Sequence, residues 1–476
     1  MTPTPRHIPS RDGRPRWRRR LAALLAVALV CLPLPATADD LPALGGNTGG
    51  TITAAKEREI GQRFLAQARE RLTFVHDREV LDYVRTLGYR VSSQTDFHAY
   101  PFHFYVVKDS SLNAFAVPGG HIFVHSGLVE TARTPDELAG VLAHEVAHIT
   151  QRHMARQAAA GRQTQLSSLL LIMAGILAGM QGEGEAAEAL VMGAGAYSQQ
   201  EMLAYSRAHE READRLGIKY LTAAGFDPEG LPGFLKRLQS WSQLQGATPA
   251  PYLSTHPLTQ ERVADARSRA SQLGKNGGPP PLGADTFRRI QARLEAGTAD
   301  SPEAAYDLFR QRQAESPEDP AARYGLALAA ERSGRTGEAL RLLRELVEAH
   351  PEEVAYRQTL GEILLQADRA GDAAVAFRGA LDRRPESPEL RRLLGQARLA
   401  QGRPEQARRI LLELTRDHPD SAAAHHALAE AYSRLDRPVD AHREEAEARW
   451  PAGAPASALA QLRPAERLPQ ESRSPP

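Results

Sequence analysis

The C-terminal part of the chain repeats itself every 34 residues, and this period restricts its fold more than any other feature. A fixed period of roughly 20–50 residues is typical of a solenoid, in which each unit packs against its neighbours. Alanine lets paired helices approach closely and proline stops a helix, so we expect two helices per unit. The alanines are Ala305, Ala339, Ala373, Ala407 and Ala441, and the prolines are Pro317, Pro351, Pro385 and Pro419.

A period of 34 residues is that of tetratricopeptide helix pairs. Four clear units run from about Pro320 to Pro451, and a divergent unit precedes them from about Asp285. We therefore predict an all-α tetratricopeptide-repeat solenoid over residues 285–451, whose concave face binds peptides or protein segments. The tail, residues 452–476, is rich in Pro, Ala, Gln and Arg and is predicted to be disordered.

Residues 1–38 have the parts of a secretory signal peptide. A basic stretch precedes an uncharged apolar run of about twelve residues, 21–32, and small residues up to Ala38 suit cleavage. The run is shorter than the roughly 20 residues that span a bilayer, which leaves an uncleaved membrane anchor as the weaker alternative. We expect the mature chain to begin near Asp39, with a flexible lead over residues 39–51.

The composition of the exported chain excludes some classes of partner and of metal ligand. Seven of the 59 basic residues and one of the 58 acidic residues precede Asp39, so the rest has a formal charge of −5. Nucleic acid binds clustered basic faces, so this balance favours protein or peptide partners instead. Cys31 is the only cysteine and lies within the signal peptide. Disulfides and thiolate metal ligands are therefore excluded from the mature chain.

The residues before the repeats predict a mostly helical α+β domain over residues 52–273. Apolar residues recur at helical spacing over about residues 52–92, which predicts two helices. Two stretches rich in aromatic and β-branched residues follow, 102–107 and 114–124, and they predict a small sheet. The pattern is then helical again, until a Pro- and Gly-rich stretch predicts a linker over residues 274–284.

His144, Glu145 and His148 form an HExxH sequence within a helical stretch. Two histidines four residues apart lie on one face of a helix, where their neutral imidazoles can bind one Zn²⁺. Glu145 is then beside the metal and can act as the general base on the attacking water. Because HExxH also arises by chance on amphipathic helices, the assignment depends on a third ligand.

The third ligand distinguishes the classes of zinc peptidase. A class with three histidines has the third one six residues after the second, but Met154 stands there. Glu210 and Asp214 share one helix face further on, which predicts Glu210 as a carboxylate ligand. Asp214 is predicted as a supporting catalytic residue that fixes the tautomer of a ligand imidazole. Glu212 lies on the opposite face and is expected to be solvated, and an exposed carboxylate without a metal is the alternative for Glu210.

These motifs together resemble a known family. HExxH and the downstream ExxxD follow residues 113–116, Asn-Ala-Phe-Ala, and 118–120, Pro-Gly-Gly, a combination similar to gluzincin metalloproteases of the CAAX-prenyl-endopeptidase type. With the signal peptide and the repeats, the chain is similar to the periplasmic beta-barrel assembly-enhancing proteases. The resemblance implies a periplasmic endopeptidase with one Zn²⁺ per chain. It also implies degradation of misassembled outer-membrane proteins, contact with the outer-membrane assembly machinery and assistance to beta-barrel assembly.

The resemblance further implies where a protein substrate binds. Residues 115–125 would form an edge strand along which an extended substrate pairs by backbone hydrogen bonds. Asn113 and Phe115 would belong to this substrate strand, and Gly119 and Gly120 would allow the substrate to approach closely.

A His-Pro loop is the last feature that the resemblance explains. In the related proteases, the histidine of a similar loop can displace the catalytic water as a removable fourth zinc ligand. This implies the same regulatory role for His256, which Pro257 follows. Arg262 would anchor this loop or place a cation in the active site. The alternative for His256 is an ordinary surface-loop histidine.

An uncharged run over residues 166–180 has two interpretations. Its apolar core of about 15 residues is too short to span a bilayer, so we expect a helix packed over the active site. The alternative is peripheral contact with a membrane.

Two further functions are compatible with the motifs. One is a periplasmic chaperone or adaptor that binds outer-membrane proteins through its repeats and has a vestigial metal site. The other is a peptidase of prenylated or membrane-embedded peptides, which the lack of long apolar spans disfavours. The presence of His144, Glu145 and His148 together with Glu210 favours an active peptidase, because the loss of Glu145 alone would abolish catalysis.

Overall fold

The computed structural model describes residues 52–160, 199–245, 251–274 and 282–449. The predicted signal peptide, flexible lead and C-terminal tail lie outside these ranges, as does the apolar run from residue 166 to residue 180. Within the described ranges, no helix combines the length and the apolar character that crossing a bilayer requires.

Two helices and a small sheet open the described chain, as the sequence predicts, and the sheet has three short strands. They are α1 (Ala54–Arg71), α2 (Arg78–Ser92), β1 (His103–Val107), β2 (Ala114–Val117) and β3 (His121–His125). Both helices begin at side-chain caps, because Thr53 accepts a hydrogen bond from the N–H of Lys56 and Asp77 accepts one from the N–H of Val80.

The three strands form one sheet with the order β1-β3-β2. Strand β1 runs parallel to β3, and β2 runs antiparallel to it. The prediction of a single edge strand over residues 115–125 is wrong, because Gly119 and Gly120 turn the chain with φ angles of +86° and +89°. L-residues with a side chain rarely adopt such angles. The central strand is therefore β3, and β2 alone is the edge strand on that side of the sheet.

Seven further helices complete the front part of the described chain. They are α3 (Ser126–Thr131), α4 (Pro135–Thr150), α5 (His153–Ala160), α6 (Gln199–Ala223), α7 (Gly230–Gln245), α8 (Pro251–Thr255) and α9 (Gln260–Leu273). Helix α4 begins at Thr134, whose side chain accepts a hydrogen bond from the N–H of Glu137. Gly217 lets α6 pack closely on α4, because a Cβ atom there would lie 3.1 Å from the backbone nitrogen of His144.

Helix α4 lies in the middle of the front core and carries the HExxH sequence. Leu138, Val141 and Leu142 are fully buried, and each such side chain contributes about 1.5–3 kcal/mol through burial. His144 and Glu145 are buried among them. A buried polar or charged group is costly without a partner, so these two side chains require a specific environment.

The remaining described helices form successive pairs, and from Pro320 onward the pairs begin 34 residues apart, which confirms the repeat architecture. The pairs are α10 (Ala284–Thr298) with α11 (Pro302–Glu315), α12 (Pro320–Arg332) with α13 (Thr336–Ala349), α14 (Val354–Gln366) with α15 (Ala370–Leu381), α16 (Pro388–Ala400) with α17 (Pro404–Asp417), and α18 (Ala422–Arg434) with α19 (Pro438–Arg449). Ala305, Ala339, Ala373 and Ala407 are fully buried. The repeated alanine is thus the contact point between helices.

Helix α10 belongs to the cores of both parts. Phe287, Ile290 and Leu294 pack into the front core, and the Phe287 ring stacks on Tyr83 with centroids 5.8 Å apart. Ala292 and other small residues on its second face pack against the repeats. The first repeat helix therefore joins the solenoid to the front domain through a continuous apolar contact.

Candidate metal centre

Two helices and the segment after a third bring two imidazoles, a carboxylate and a third imidazole together. His144 and His148 are one turn apart on α4, Glu210 lies on α6, and His256 directly follows α8. One nitrogen or oxygen atom from each of the four side chains lies within 4.8 Å of the others. The two predicted elements, HExxH and ExxxD, and the predicted loop histidine therefore meet at one point.

Several of the separations between these four side chains are close to the spacing of donor atoms around one metal ion. His144 Nε2 lies 3.0 Å from His148 Nε2, and the two Glu210 oxygens lie 3.3 and 3.4 Å from those nitrogens. His256 Nδ1 lies 3.3 Å from His144 Nε2 and 3.1 Å from Glu210 Oε1. Ligand atoms about 2.05 Å from a tetrahedral Zn²⁺ are about 3.3 Å from one another. The donor set and its spacing fit one zinc ion.

Burial and neighbouring charges set the protonation of these donors. Burial lowers the pKa of His148 well below its usual range, so its imidazole is neutral. Burial alone would raise the pKa of Glu210, but the imidazoles of His256 and His148 hold it well below its usual range. A neutral imidazole and an ionised carboxylate are the forms that bind a divalent cation.

The nitrogens that face away from the cluster have partners of their own. His144 Nδ1 lies 3.0 Å from Asp214 Oδ1, the arrangement that fixes which ring nitrogen carries the proton. His148 Nδ1 lies 3.0 Å from His153 Nδ1, and His153 Nε2 lies 3.1 Å from Glu212 Oε2. Glu212, expected to be solvated, is 28% exposed and also pairs with Arg156 at 2.9 Å. Sequence spacing does not single out His153, because it begins α5, beyond the turn that ends α4.

Glu145 is the only carboxylate of the HExxH sequence, and its side chain is 1% exposed. Neither carboxylate oxygen has a hydrogen-bond partner of normal geometry among the described residues, although His256 Nε2 is 3.5 Å from Oε1. Burial raises the pKa of Glu145. A carboxyl group with a raised pKa and free acceptor oxygens beside the donor cluster is suited to proton transfer.

The loop that carries His256 is held from two sides. The His256 ring stacks on Tyr252 with centroids 4.5 Å apart. Arg262, whose side chain is 2% exposed, donates to the carbonyl of Pro257 at 2.8 Å and lies 2.9 Å from Glu210 Oε2. The guanidinium is thus in contact with the loop and with the carboxylates behind the cluster.

The residues predicted for substrate binding lie on or beside β2. Asn113 and Phe115 are buried, at 6% and 3% exposure. Gly119 and Gly120 pack on their own chain, because a Cβ atom at Gly120 would lie 2.0 Å from the carbonyl oxygen of Pro101. The two glycines are therefore required by the turn and by this internal contact, whereas β2 offers the edge.

Comparison with protein families agrees with both parts of the fold. Residues 81–270 match the model of Peptidase family M48, and residues 298–363 and 364–431 each match a tetratricopeptide-repeat model. The chain is therefore a metallopeptidase followed by tetratricopeptide repeats, as predicted. The peptidase family implies a bound metal ion.

Curated relatives assign the chain to a more specific family. The beta-barrel assembly-enhancing protease of Yersinia pestis is 33% identical over 346 residues, covering 69% of this chain and 68% of the relative. The putative beta-barrel assembly-enhancing protease of Vibrio cholerae is 34% identical, with the same coverage. The mitochondrial metalloendopeptidase OMA1 of Schizosaccharomyces pombe is 29% identical over 38% of the chain and 50% of the relative. The chain belongs to the family of beta-barrel assembly-enhancing proteases and is a zinc metalloendopeptidase.

Proposed function

We propose that His144, His148 and Glu210 hold one Zn²⁺ per chain and that the protein cleaves unfolded or misassembled proteins in the periplasm. The observation that carries the proposal is the close approach of the donors: His144 Nε2 and His148 Nε2 are 3.0 Å apart, and one Glu210 oxygen lies 3.3 Å from the first while the other lies 3.4 Å from the second. Three protein ligands of this kind leave a fourth position for catalysis.

Each residue around the cluster has a role in peptide hydrolysis. Zn²⁺ at such a site supplies Lewis acidity that makes water nucleophilic near neutral pH. Glu145 takes the proton of the attacking water and returns a proton to the leaving amine. Asp214 Oδ1 lies 3.0 Å from His144 Nδ1, so its charge favours the proton on Nδ1 and keeps Nε2 of that ring free to bind the metal. The backbone of an extended substrate pairs with the free edge of β2.

We infer that His256 controls access to the fourth position. Its Nδ1 atom lies within the donor cluster, and a neutral imidazole is a good zinc ligand. With His256 in place, all four positions of a tetrahedral ion are filled and the resting enzyme is inactive. Movement of the loop between α8 and α9, driven by a substrate or a partner, would open the fourth position. Arg262 is the anchor that returns the loop to its resting place.

The names of the relatives and the tetratricopeptide repeats support a proposal for the substrates. The relatives are named for enhancing beta-barrel assembly, and solenoids of this type bind protein segments. We propose that the repeats recruit outer-membrane proteins or components of their assembly machinery and deliver stalled substrates to the zinc site. The signal-like residues 1–38 support export to the periplasm.

One experiment separates this function from that of a chaperone with a vestigial site. Metal content and cleavage of an unfolded protein are measured side by side for the wild type and for Glu145→Gln. We expect about one zinc per chain in both proteins, and a loss of at least about 100-fold in cleavage for the variant. Equal cleavage by the two proteins, or none by the zinc-loaded wild type and by His256→Ala, would contradict the proposed peptidase mechanism.

A further inference from the structure

A small pocket opens directly beside the donor cluster. It lies between the end of β2, the last turn of α4 and the start of α5, and His148 forms part of its wall. Its apolar wall consists of Val117, Pro118, Ile149, Met154 and Ala155. We call this space the His148 pocket.

The His148 pocket lies on the most open side of the cluster. The His148 side chain is 15% exposed, whereas those of Glu210 and His256 are 3% and 7% exposed and that of His144 is fully buried. Strand β2, which has a strand partner on one side only among the described residues, contributes Val117 to the wall. A side chain of a substrate paired with β2 next to the cluster would therefore face this pocket.

The floor of the His148 pocket is polar, and its one acidic and one basic side chain form an ion pair with each other. Glu57, only 1% exposed, accepts hydrogen bonds from Arg152 Nε at 3.1 Å and from the Tyr100 hydroxyl at 3.1 Å. Arg152 lies four residues after His148, in the turn between α4 and α5, and has a φ angle of +53°, an uncommon conformation for arginine. Its guanidinium donates hydrogen bonds to Glu57 and to the carbonyl oxygen of Ile52. The floor is thus fixed, and a charged substrate side chain would find no free counter-charge there.

The size of the pocket limits what it can hold. Its free volume is about 20 Å³, enough for one group of the size of a water molecule or a methyl group. Met154, which is partly buried against the neighbouring apolar residues, closes one side. A longer aliphatic or aromatic side chain would clash with this wall.

We propose that the His148 pocket selects one small, uncharged residue of the protein substrate, alanine above all, next to the scissile bond. The proposal rests on the proposed peptidase function and adds a substrate preference to it. Met154 is the residue that sets the size limit, and the Glu57–Arg152 pair positions the floor.

The test combines cleavage with binding. Cleavage sites in a peptide library are mapped for His256→Ala, in which the fourth metal position is open, alone and combined with Met154→Ala or Met154→Leu. Binding of two peptides that differ only by alanine or leucine at the selected position is measured with the zinc-loaded His256→Ala/Glu145→Gln protein. Binding needs no turnover, so the pocket is tested even if hydrolysis fails.

We expect one position beside the scissile bond to favour alanine over leucine by about 10-fold or more, as for a pocket that excludes extra methylene groups. Met154→Ala should remove most of this preference in cleavage and in binding, while Met154→Leu keeps it because the wall retains its volume. A preference for large residues, or a preference that Met154→Ala leaves unchanged, would overturn the proposal. Alanine-selective binding without any cleavage would support the pocket and contradict the proposed function.

Discussion

Arg262 and Asp214 form a two-point ion pair beneath the metal centre, with Nε 2.8 Å from Oδ2 and Nη2 2.9 Å from Oδ1. Both side chains are buried, at 2% and 6% exposure. The same carboxylate lies 3.0 Å from His144 Nδ1. The orientation of a predicted zinc ligand therefore depends on an arginine from the helix after the His-Pro loop.

We expect Arg262→Ala to destabilise the zinc-loaded protein by about 3–5 kcal/mol, because it leaves the buried carboxylate of Asp214 without its cation. The free energy of unfolding in urea measures the effect. Arg211→Ala is the matched control, since Arg211 pairs with Glu261 on the surface, and it should cost less than about 1 kcal/mol. Equal effects of the two substitutions would show that the buried pair does not stabilise the site.

His256→Ala should keep its zinc and digest unfolded protein several-fold faster than the wild type. The reason is that the remaining ligands still hold the metal, while the fourth position opens to water. His425→Ala is the control, because His425 is also buried and contacts a glutamate, at 2.7 Å, but lies in the repeats. If folded, zinc-loaded His256→Ala is no faster than the wild type, His256 does not restrain the enzyme.

Arg293 couples the repeats to the front domain. Its Nε lies 2.7 Å from Asp77, the N-cap of α2, and its Nη1 donates to the Tyr324 hydroxyl at 2.8 Å. We expect Arg293→Ala to destabilise the junction by about 1.5–3 kcal/mol, because it removes a charged hydrogen-bond donor from half-buried Asp77 and from buried Tyr324. Faster amide hydrogen exchange in α10 and α12 would report the loosening. Arg310→Ala, which breaks an exposed pair, should leave the exchange unchanged.

Acid should destabilise the sheet through His121. Burial, followed by the charges of His103 and Arg69, lowers the pKa of His121 to about 4. In the unfolded chain the His121 imidazole is protonated below about pH 6.5, whereas in the folded protein it stays neutral down to about pH 4. The free energy of unfolding therefore has its full value above about pH 6.5 and decreases as the pH falls toward 4. His121→Gln should make the fall in unfolding free energy between pH 7.5 and pH 5 smaller by about 1–2 kcal/mol. A fall of unchanged size would show that His121 does not contribute to it.

The sequence predicts the repeats and the metal-binding residues because both obey local spacing. Ala305 and Ala339 occupy equivalent places in successive helix pairs, and His144 and His148 share a face by helix geometry alone. Glu210 was predicted from a motif on a second helix. In each case the signal is a fixed separation along the chain.

Other parts of the site depend on contacts between segments that are distant in the sequence. No fixed spacing along the chain predicts these contacts. Glu57 precedes Arg152 by 95 residues, yet the two side chains form the floor of the His148 pocket. His153 supports His148 although it is out of phase with the metal-binding face. The division of residues 115–125 into two strands depends on the turn at Gly119 and Gly120, which aromatic and β-branched content alone does not reveal.

The most direct test of the metal centre is the zinc content of Glu210→Ala combined with His256→Ala, because His256 would otherwise remain as a third ligand. Two histidines alone bind zinc far more weakly than two histidines with a carboxylate, so we expect this double variant to lose its zinc on dialysis, whereas His256→Ala alone keeps it. Glu444→Ala combined with His256→Ala removes a buried glutamate that contacts a histidine in the repeats, and it should keep about one zinc per chain. Full zinc occupancy in the folded Glu210→Ala/His256→Ala protein would contradict the assignment of Glu210 as the third ligand.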